Sequence, residues 1–380
     1  MNKKQSIYLD YAASTPIDPD ILNQMNKIVL DHFYNPSEIY QEAVLSRKVL
    51  EDSRLRVSQT LEVKSSEIIF VAGGTEANNL AISGIMENFK DSNLIVSSIE
   101  HASILKPAEQ YDYKIVPVNA QGLVEIDKLA KLIDQNTVLI SILLVNNEIG
   151  VIQDLKSITN LIKKIVANRR SQGNSLPLYF HTDGCQALNY LRLRPTRLGV
   201  DLMSLNGSKI YGPKQSGALF VKSGTKITPI ILGGGQEFNL RSGTENLANI
   251  YGFSVACQKA QFILKDEVKR ITQIRDYLIQ ELSLNPKIKI NGSLRHRVAN
   301  NINFRIEGID NEWLILKLDS EGIMVSSGSA CNASKQELSH VLKAIKLSDD
   351  QIRSSIRVTL GRRTTMEEIK ILLKYINKLI

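Results

Sequence analysis

From about residue 65 onward, short runs of apolar, often β-branched residues alternate with helical stretches. That alternation constrains the chain more than any other feature. The spacing predicts strands at Ile68–Val71, Leu94–Ser97, Ile115–Val118, Val138–Val145, Leu178–His181, Leu202–Leu205 and Ala218–Val221. Helical patterns run from the Gly73-Gly74 turn through Met86, onward from Ser103, and over Ile158–Asn168. Strands that are apolar throughout and joined through helices belong to a mostly parallel sheet covered on both faces. The expectation is an α/β fold with a seven-stranded type of sheet. The last third changes character: a charged helical stretch over Ala256–Leu282, short strands near Ile288–Asn291 and Asn301–Ile306, and helices over Asn311–Ser320, Gln336–Ile345 and Met366–Leu379. This pattern predicts a smaller α+β domain of residues 256–380 with 1–13, beside a large domain of 14–255.

The chain has 380 residues, of which 43% are hydrophobic and 23% charged, as in ordinary globular proteins. No apolar tract is long enough to span a bilayer, and no apolar stretch follows the two N-terminal lysines, so the expected location is the cytoplasm. The formal charge of +8 is spread along the chain rather than gathered in tails, and no direct nucleic-acid binding is expected. Cys185, Cys257 and Cys331 show no Cys-x-x-Cys spacing, which argues against a disulfide framework or a structural metal site.

Three segments carry chemistry. Gly73-Gly74-Thr75-Glu76 lies between a strand and a helix, where free amides, a hydroxyl and close backbone approach make a phosphate seat. The same residues also serve as an ordinary turn with a helix cap. The segment has neither the dinucleotide-binding spacing nor the nucleotide P-loop lysine. Asp183 follows a predicted strand, where an acid either holds a pyridine nitrogen protonated, as pyridoxal phosphate requires, or caps the next helix. Lys209 stands in the polar turn Asn206-Gly207-Ser208-Lys209 after another strand, placed to form an imine or merely to be exposed.

Taken in order, these segments resemble the cysteine desulfurases of the class V aminotransferase superfamily, within the fold-type I pyridoxal-phosphate enzymes. The resemblance spans nearly the whole chain. It includes Tyr8 to Pro16, Asn35-Pro36-Ser37, Ser98-Ile99-Glu100-His101, Asn146-Asn147-Glu148-Ile149-Gly150, Arg241-Ser242-Gly243-Thr244, Ser326 to Cys331, and Ser354 to Arg362. It implies that Lys209 holds pyridoxal 5'-phosphate covalently and later moves a proton. Asp183 would face the ring nitrogen and Gln186 the ring hydroxyl, and His101 would stack on the ring face and assist proton transfer. Gly74, Thr75, Asn206 and Ser208 would seat the phosphate, with Thr244 reaching in from the second subunit of a homodimer. Asn147 and Arg357 would hold the carboxylate of the substrate, L-cysteine, the arginine fork being suited to a two-oxygen anion. Cys331, in a polar loop of Ser, Gly, Ala and Asn, would take the sulfur as a persulfide for an acceptor protein, either an iron–sulfur scaffold or a tRNA thiolase.

The chain departs from the family pattern in places. Ser208 stands where the family usually has His, Asn206 where it has Ser, and Ser37 to Tyr40 lack a usual nearby His. Both site replacements keep hydrogen-bond donors. The chain ends soon after its last helical pattern, which leaves the acceptor open. The rival readings are an aminotransferase or lyase of the same fold, or a non-catalytic relative that acts by binding partners.

Overall fold

The computed structural model describes residues 6–328 and 338–380. Among the described residues twelve strands appear in chain order: β1 Ile7–Tyr8, β2 Ile68–Val71, β3 Asn93–Ser97, β4 Tyr113–Val116, β5 Thr137–Ser141, β6 Tyr179–Asp183, β7 Leu202–Asn206, β8 Gly217–Val221, β9 Ile288–Ile290, β10 Asn301–Ile306, β11 Ile323–Met324 and β12 Ser355–Thr359. Seven of them form one sheet in the order β2-β8-β7-β6-β5-β3-β4. β8 runs antiparallel to both its neighbours, and the other pairings are parallel. A three-stranded antiparallel sheet, β12-β10-β9, and the short parallel pair β1-β11 make up the rest.

Period-two alternation divides the large sheet's side chains between two cores. Ile69, Val71, Leu94, Val96 and Leu219 pack with Leu80, Ile82 and Ile85 of the helix Gly74–Met86. Ile68, Phe70, Ile95, Ile140, Phe180 and Phe220 face the other way, into a core that continues to the three-stranded sheet. The seven strands of the large sheet and the helix Gly74–Met86 thus fall where the alternation predicts them, apart from their ends. No helix among the described residues is long and apolar enough to cross a membrane.

Several boundaries differ from the sequence reading. The strand expected over Val138–Val145 ends at Ser141, and Leu143 instead turns its N–H to the Glu100 carboxyl at 2.9 Å. β4 lies two residues earlier than expected. The single helix expected over Ala256–Leu282 is two helices, Leu247–Phe262 and Leu264–Ser283, separated at Ile263 with φ −89° and ψ 0°. Asn246 starts the first by accepting from Asn249 N–H, and the acidic Asp266 and Glu267 fall in the first turn of the second, where helix dipoles favour them. The helix expected over Gln336–Ile345 runs, in its described part, from His340 to Ala344, started by the Ser339 cap. Two N-terminal helices, Pro19–Asp31 and Gln41–Leu61, have no counterpart in the sequence reading and both pack on Leu247–Phe262.

Candidate active site

The C-terminal ends of β3, β5, β6 and β7 open onto one cavity of about 310 Å³. This is the edge at which open α/β sheets place ligands. Gly74, Thr75, His101, Asn147, Asp183, Gln186, Asn206, Lys209 and Arg357 all line it. Ser208 lines the adjoining cleft, together with Gly74, Thr75, Asn206 and Lys214. Thr244 lines a different cleft with Ala72, Gln215 and Arg241. Cys331 lies outside the described residues.

Gly73 begins the phosphate-like end at φ +140°, a conformation that favours glycine, and the helix Gly74–Met86 follows it. A Cβ on Gly74 would stand 2.7 Å from Cys185 Sγ, so only glycine fits there. Across the cleft, Asn206 Oδ1 accepts from both the N–H and the hydroxyl of Ser208, each at 3.0 Å. That fixes the amide with its Nδ2 toward Gly74, 3.4 Å from the position such a Cβ would take.

Asp183 ends β6. Its Oδ1 accepts from Cys185 N–H at 2.8 Å, and its Oδ2 accepts from Asn78 Nδ2 at 2.7 Å. Lys209 closes the short turn after β7, and its ammonium donates to the carbonyls of Ala12 at 3.0 Å and Ala13 at 2.5 Å. Gln186 Nε2 donates to the same Ala12 carbonyl at 2.9 Å. The N-terminal motif therefore holds two site residues at once. Burial lowers the Lys209 pKa, favouring the neutral amine that attacks carbon. Burial raises the Cys185 and Cys257 thiols well above their ordinary range, so both remain protonated and poor nucleophiles.

Arg357, 2% exposed, comes from β12. Nη2 donates to Asp10 at 2.6 Å, and Nη1 donates to the carbonyls of Asn147 at 3.0 Å and Gly328 at 2.9 Å. Its Nε has no partner, a buried donor left over for an anion. Glu148 Oε2 accepts from Ser339 Oγ at 2.5 Å, and a Cβ on Gly328 (φ +112°) would lie 3.1 Å from the same oxygen. The described residues on either side of 329–337 thus meet at one buried carboxylate. His340 donates from Nε2 to the Glu100 carbonyl at 2.9 Å.

The sequence reading singled out no role for Asn78, Ser103, Glu100, Glu148 or Asp10. Glu100, fully buried, is the one with a visible signal: a carboxyl between apolar Ile99 and the histidine of the same motif. Burial lifts its pKa to about 8, against the bonds from Ser97 and Leu143 that lower it.

A cavity at the sheet's carboxyl edge, with a buried amine, a carboxylate holding two hydrogen bonds and an unpaired buried arginine donor, belongs to an α/β enzyme. The chain belongs to the class-V aminotransferase family, which it matches over residues 7–372. It is 39% identical to the cysteine desulfurase IscS of Dictyoglomus turgidum, over 99% of this chain and 95% of the relative. Its fold matches a solved NifS-like protein with a TM-score of 0.90 at 29% identity, covering 99% of both chains. It also matches SspA, solved in complex with cysteine, with a TM-score of 0.81 at 32% identity, covering 95% of this chain and all of that one.

Proposed function

We propose that the chain is a pyridoxal-phosphate-dependent cysteine desulfurase that converts L-cysteine and its own thiol into L-alanine and a persulfide on Cys331. The observation that carries this is the convergence of nine sequence-predicted residues on one cavity. The relatives' names agree with it, and so does the cysteine bound to SspA.

The residues fit the cofactor. The Gly74 cradle admits no side chain, and Thr75, Ser208 and Asn206 Nδ2 surround it with donors for a phosphate. Asp183, its oxygens already held, is an anion suited to a protonated ring nitrogen. Lys209 would hold the cofactor, Gln186 its ring hydroxyl, and His101 its ring face. When bound, pyridoxal phosphate supplies an electron sink for the carbon that loses its proton.

The chain's own residues do the rest. Arg357, with Asn147, orients the substrate carboxylate, its guanidinium already aimed by Asp10. Lys209 would move the proton, its amine positioned by the Ala12 and Ala13 carbonyls. The Cys331 thiolate attacks the substrate sulfur; as the sulfur–sulfur bond of the persulfide forms, the carbon–sulfur bond breaks with its electron pair left on carbon, which takes up a proton to become the methyl group of alanine. Cys185 and Cys257, buried and protonated, are poor rivals for that role.

In this reading residues 14–255 are the cofactor domain, and 256–380 with 1–13 the smaller domain that brings Cys331. The cytoplasm, where free thiols stay reduced, suits the reaction, and the persulfide goes to an iron–sulfur scaffold or a tRNA thiolase. Mass spectrometry after brief exposure to L-cysteine should find one extra sulfur on the Cys331 peptide and free alanine. Cys331→Ser should lower sulfide release by roughly a hundredfold or more while cysteine still binds, because a covalent step is gone. Extra sulfur on Cys185, or normal sulfide release by the variant, would overturn the assignment.

A further inference from the structure

We infer that Asn78 and Ser103 are positioning residues that fix the tautomer of His101, so that this histidine presents a protonated Nε2 to the cavity and accepts no proton there. The functional side of this rests on the desulfurase reading, in which His101 faces the reacting atoms. The tautomer itself follows from hydrogen-bond direction.

His101 caps the helix Ala102–Ala108, and the Ser103 backbone N–H points at its Nδ1 from 3.1 Å. A backbone N–H only donates, so Nδ1 is an acceptor and carries no hydrogen. Ser103 Oγ lies 2.7 Å from the same nitrogen. Asn78 directs its hydroxyl hydrogen there: Nδ2 lies 2.8 Å from Ser103 Oγ and 2.7 Å from Asp183 Oδ2, giving one hydrogen to each. The reversed amide would set its oxygen against the Asp183 carboxylate, which is repulsive. Asp183 therefore orients Asn78, Asn78 occupies a lone pair of Ser103, and Ser103 gives its own hydrogen to Nδ1. A neutral imidazole has a single N–H, and Nε2 is the only place left for it. Burial lowers the His101 pKa and keeps the ring neutral.

Asn78 is 1% exposed, and its Oδ1 has no partner. A buried amide with an unmatched carbonyl is less stable than an apolar side chain of the same shape. Its two donors are what this position uses. One chain of bonds thus joins the carboxylate assigned to the ring nitrogen with the histidine assigned to the ring face.

The test uses the full chain labelled with 15N-histidine, the His101 signals being those lost in His101→Gln. In the wild-type protein Nδ1 should be unprotonated and Nε2 protonated. The Ser103 backbone N–H stays in both variants, so Asn78→Leu and Ser103→Ala should each add a minor Nδ1-protonated population beside the Nε2 form. Both should lower kcat on the order of tenfold, a fraction of what a general acid contributes. KM for cysteine should stay within about twofold, since Arg357 is untouched. Ser103→Thr, which keeps the hydroxyl, should restore tautomer and kcat together. A wild-type His101 protonated on Nδ1, or a tautomer unchanged in both variants, would overturn the inference. A wild-type protein with the expected tautomer but no cysteine turnover would sustain the tautomer assignment and refute the desulfurase reading instead.

Discussion

At the scale of single residues, the site depends on groups whose ionisation burial has changed. Glu100 is the clearest, with a folded pKa of about 8 against 4.5 for an ordinary glutamate. Between those values the folded chain keeps a proton that the unfolded chain has released. The stability from Glu100 is therefore complete below about pH 4.5 and is lost as pH rises towards about 8, at no more than about 1.4 kcal/mol per pH unit. Glu100→Gln keeps an acceptor for Leu143 N–H and Ser97 and removes the titration. The unfolding midpoint of the wild type should fall relative to this variant from about pH 5 to about pH 8; parallel profiles would contradict the assignment. At Lys209 the expected outcome is chemical. Lys209→Ala should lose any borohydride-reducible attachment of pyridoxal phosphate, and an unchanged attachment would move the role to another lysine. Lys209 and Asp183 were legible in the sequence because each follows a predicted strand at the sheet's ligand-binding edge. Asn78 and Ser103 were not, since their roles arise only where two helix starts meet beside β6. Asp10 was equally hidden: it meets Arg357 across 347 positions of chain.

At the scale of elements, the least regular backbone is also among the most firmly tied. Glu237, Phe238 and Asn239 all have positive φ, at 48°, 59° and 65°, a conformation unfavourable for side chains other than glycine. A buried pair holds them: Arg54 meets both Glu237 oxygens at 2.7 and 2.8 Å, and Phe70 N–H donates to the same carboxylate at 2.7 Å. The guanidinium lies between the rings of Phe70 and Phe238, 4.9 Å from each. This lock fixes the segment that carries Arg241 and Thr244 onto the edge strand β2. Glu237→Gln would leave the buried Arg54 charge only the half-exposed Glu51, 3.4 Å from its Nε, and should destabilise the fold by about 3 kcal/mol in denaturant unfolding. A loss below about 1 kcal/mol would mean that the segment is held by other contacts. No local pattern announces such a lock, because neither an arginine within a helix nor Gln-Glu-Phe-Asn after three glycines reads as unusual. The elements that were legible, β2 or the helix Gly74–Met86, are those whose apolar period matches their burial. The strand expected at Val138–Val145 overran because the ladder loosens after Ser141: Ile142 and Leu144 still donate to β6, while Leu143 turns to Glu100 and Val145 bridges Ile152. Apolar composition does not distinguish a regular ladder from a loosened one.

At the scale of the whole molecule, the first two helices and the segment around Phe238 expose several large apolar side chains. Leu30, Phe33, Ile39 and Tyr40, in or beside the first two helices, are 73%, 71%, 92% and 48% exposed, and Leu232 and Phe238 are 80% and 51% exposed. Such side chains suit a face that is covered by a second copy of the chain. Thr244, assigned by resemblance to the phosphate, lines a cleft apart from the cavity of its own chain. Both observations support a homodimer in which each site borrows Thr244 from its neighbour. The arrangement makes a prediction that a monomer, or a dimer with self-contained sites, does not. Lys209→Ala and Thr244→Asp, each purified alone, should be inactive, the first without its amine and the second with an anion set against the phosphate. When the two are unfolded together and refolded, half the dimers formed at random are mixed. In a mixed dimer one site holds both lesions and the other holds none, because Lys209 and Thr244 of one site come from different chains. Activity should return to about a quarter of the wild-type level, set by chain statistics alone. If the two residues served the same chain's site, every site would keep one lesion and no activity would return.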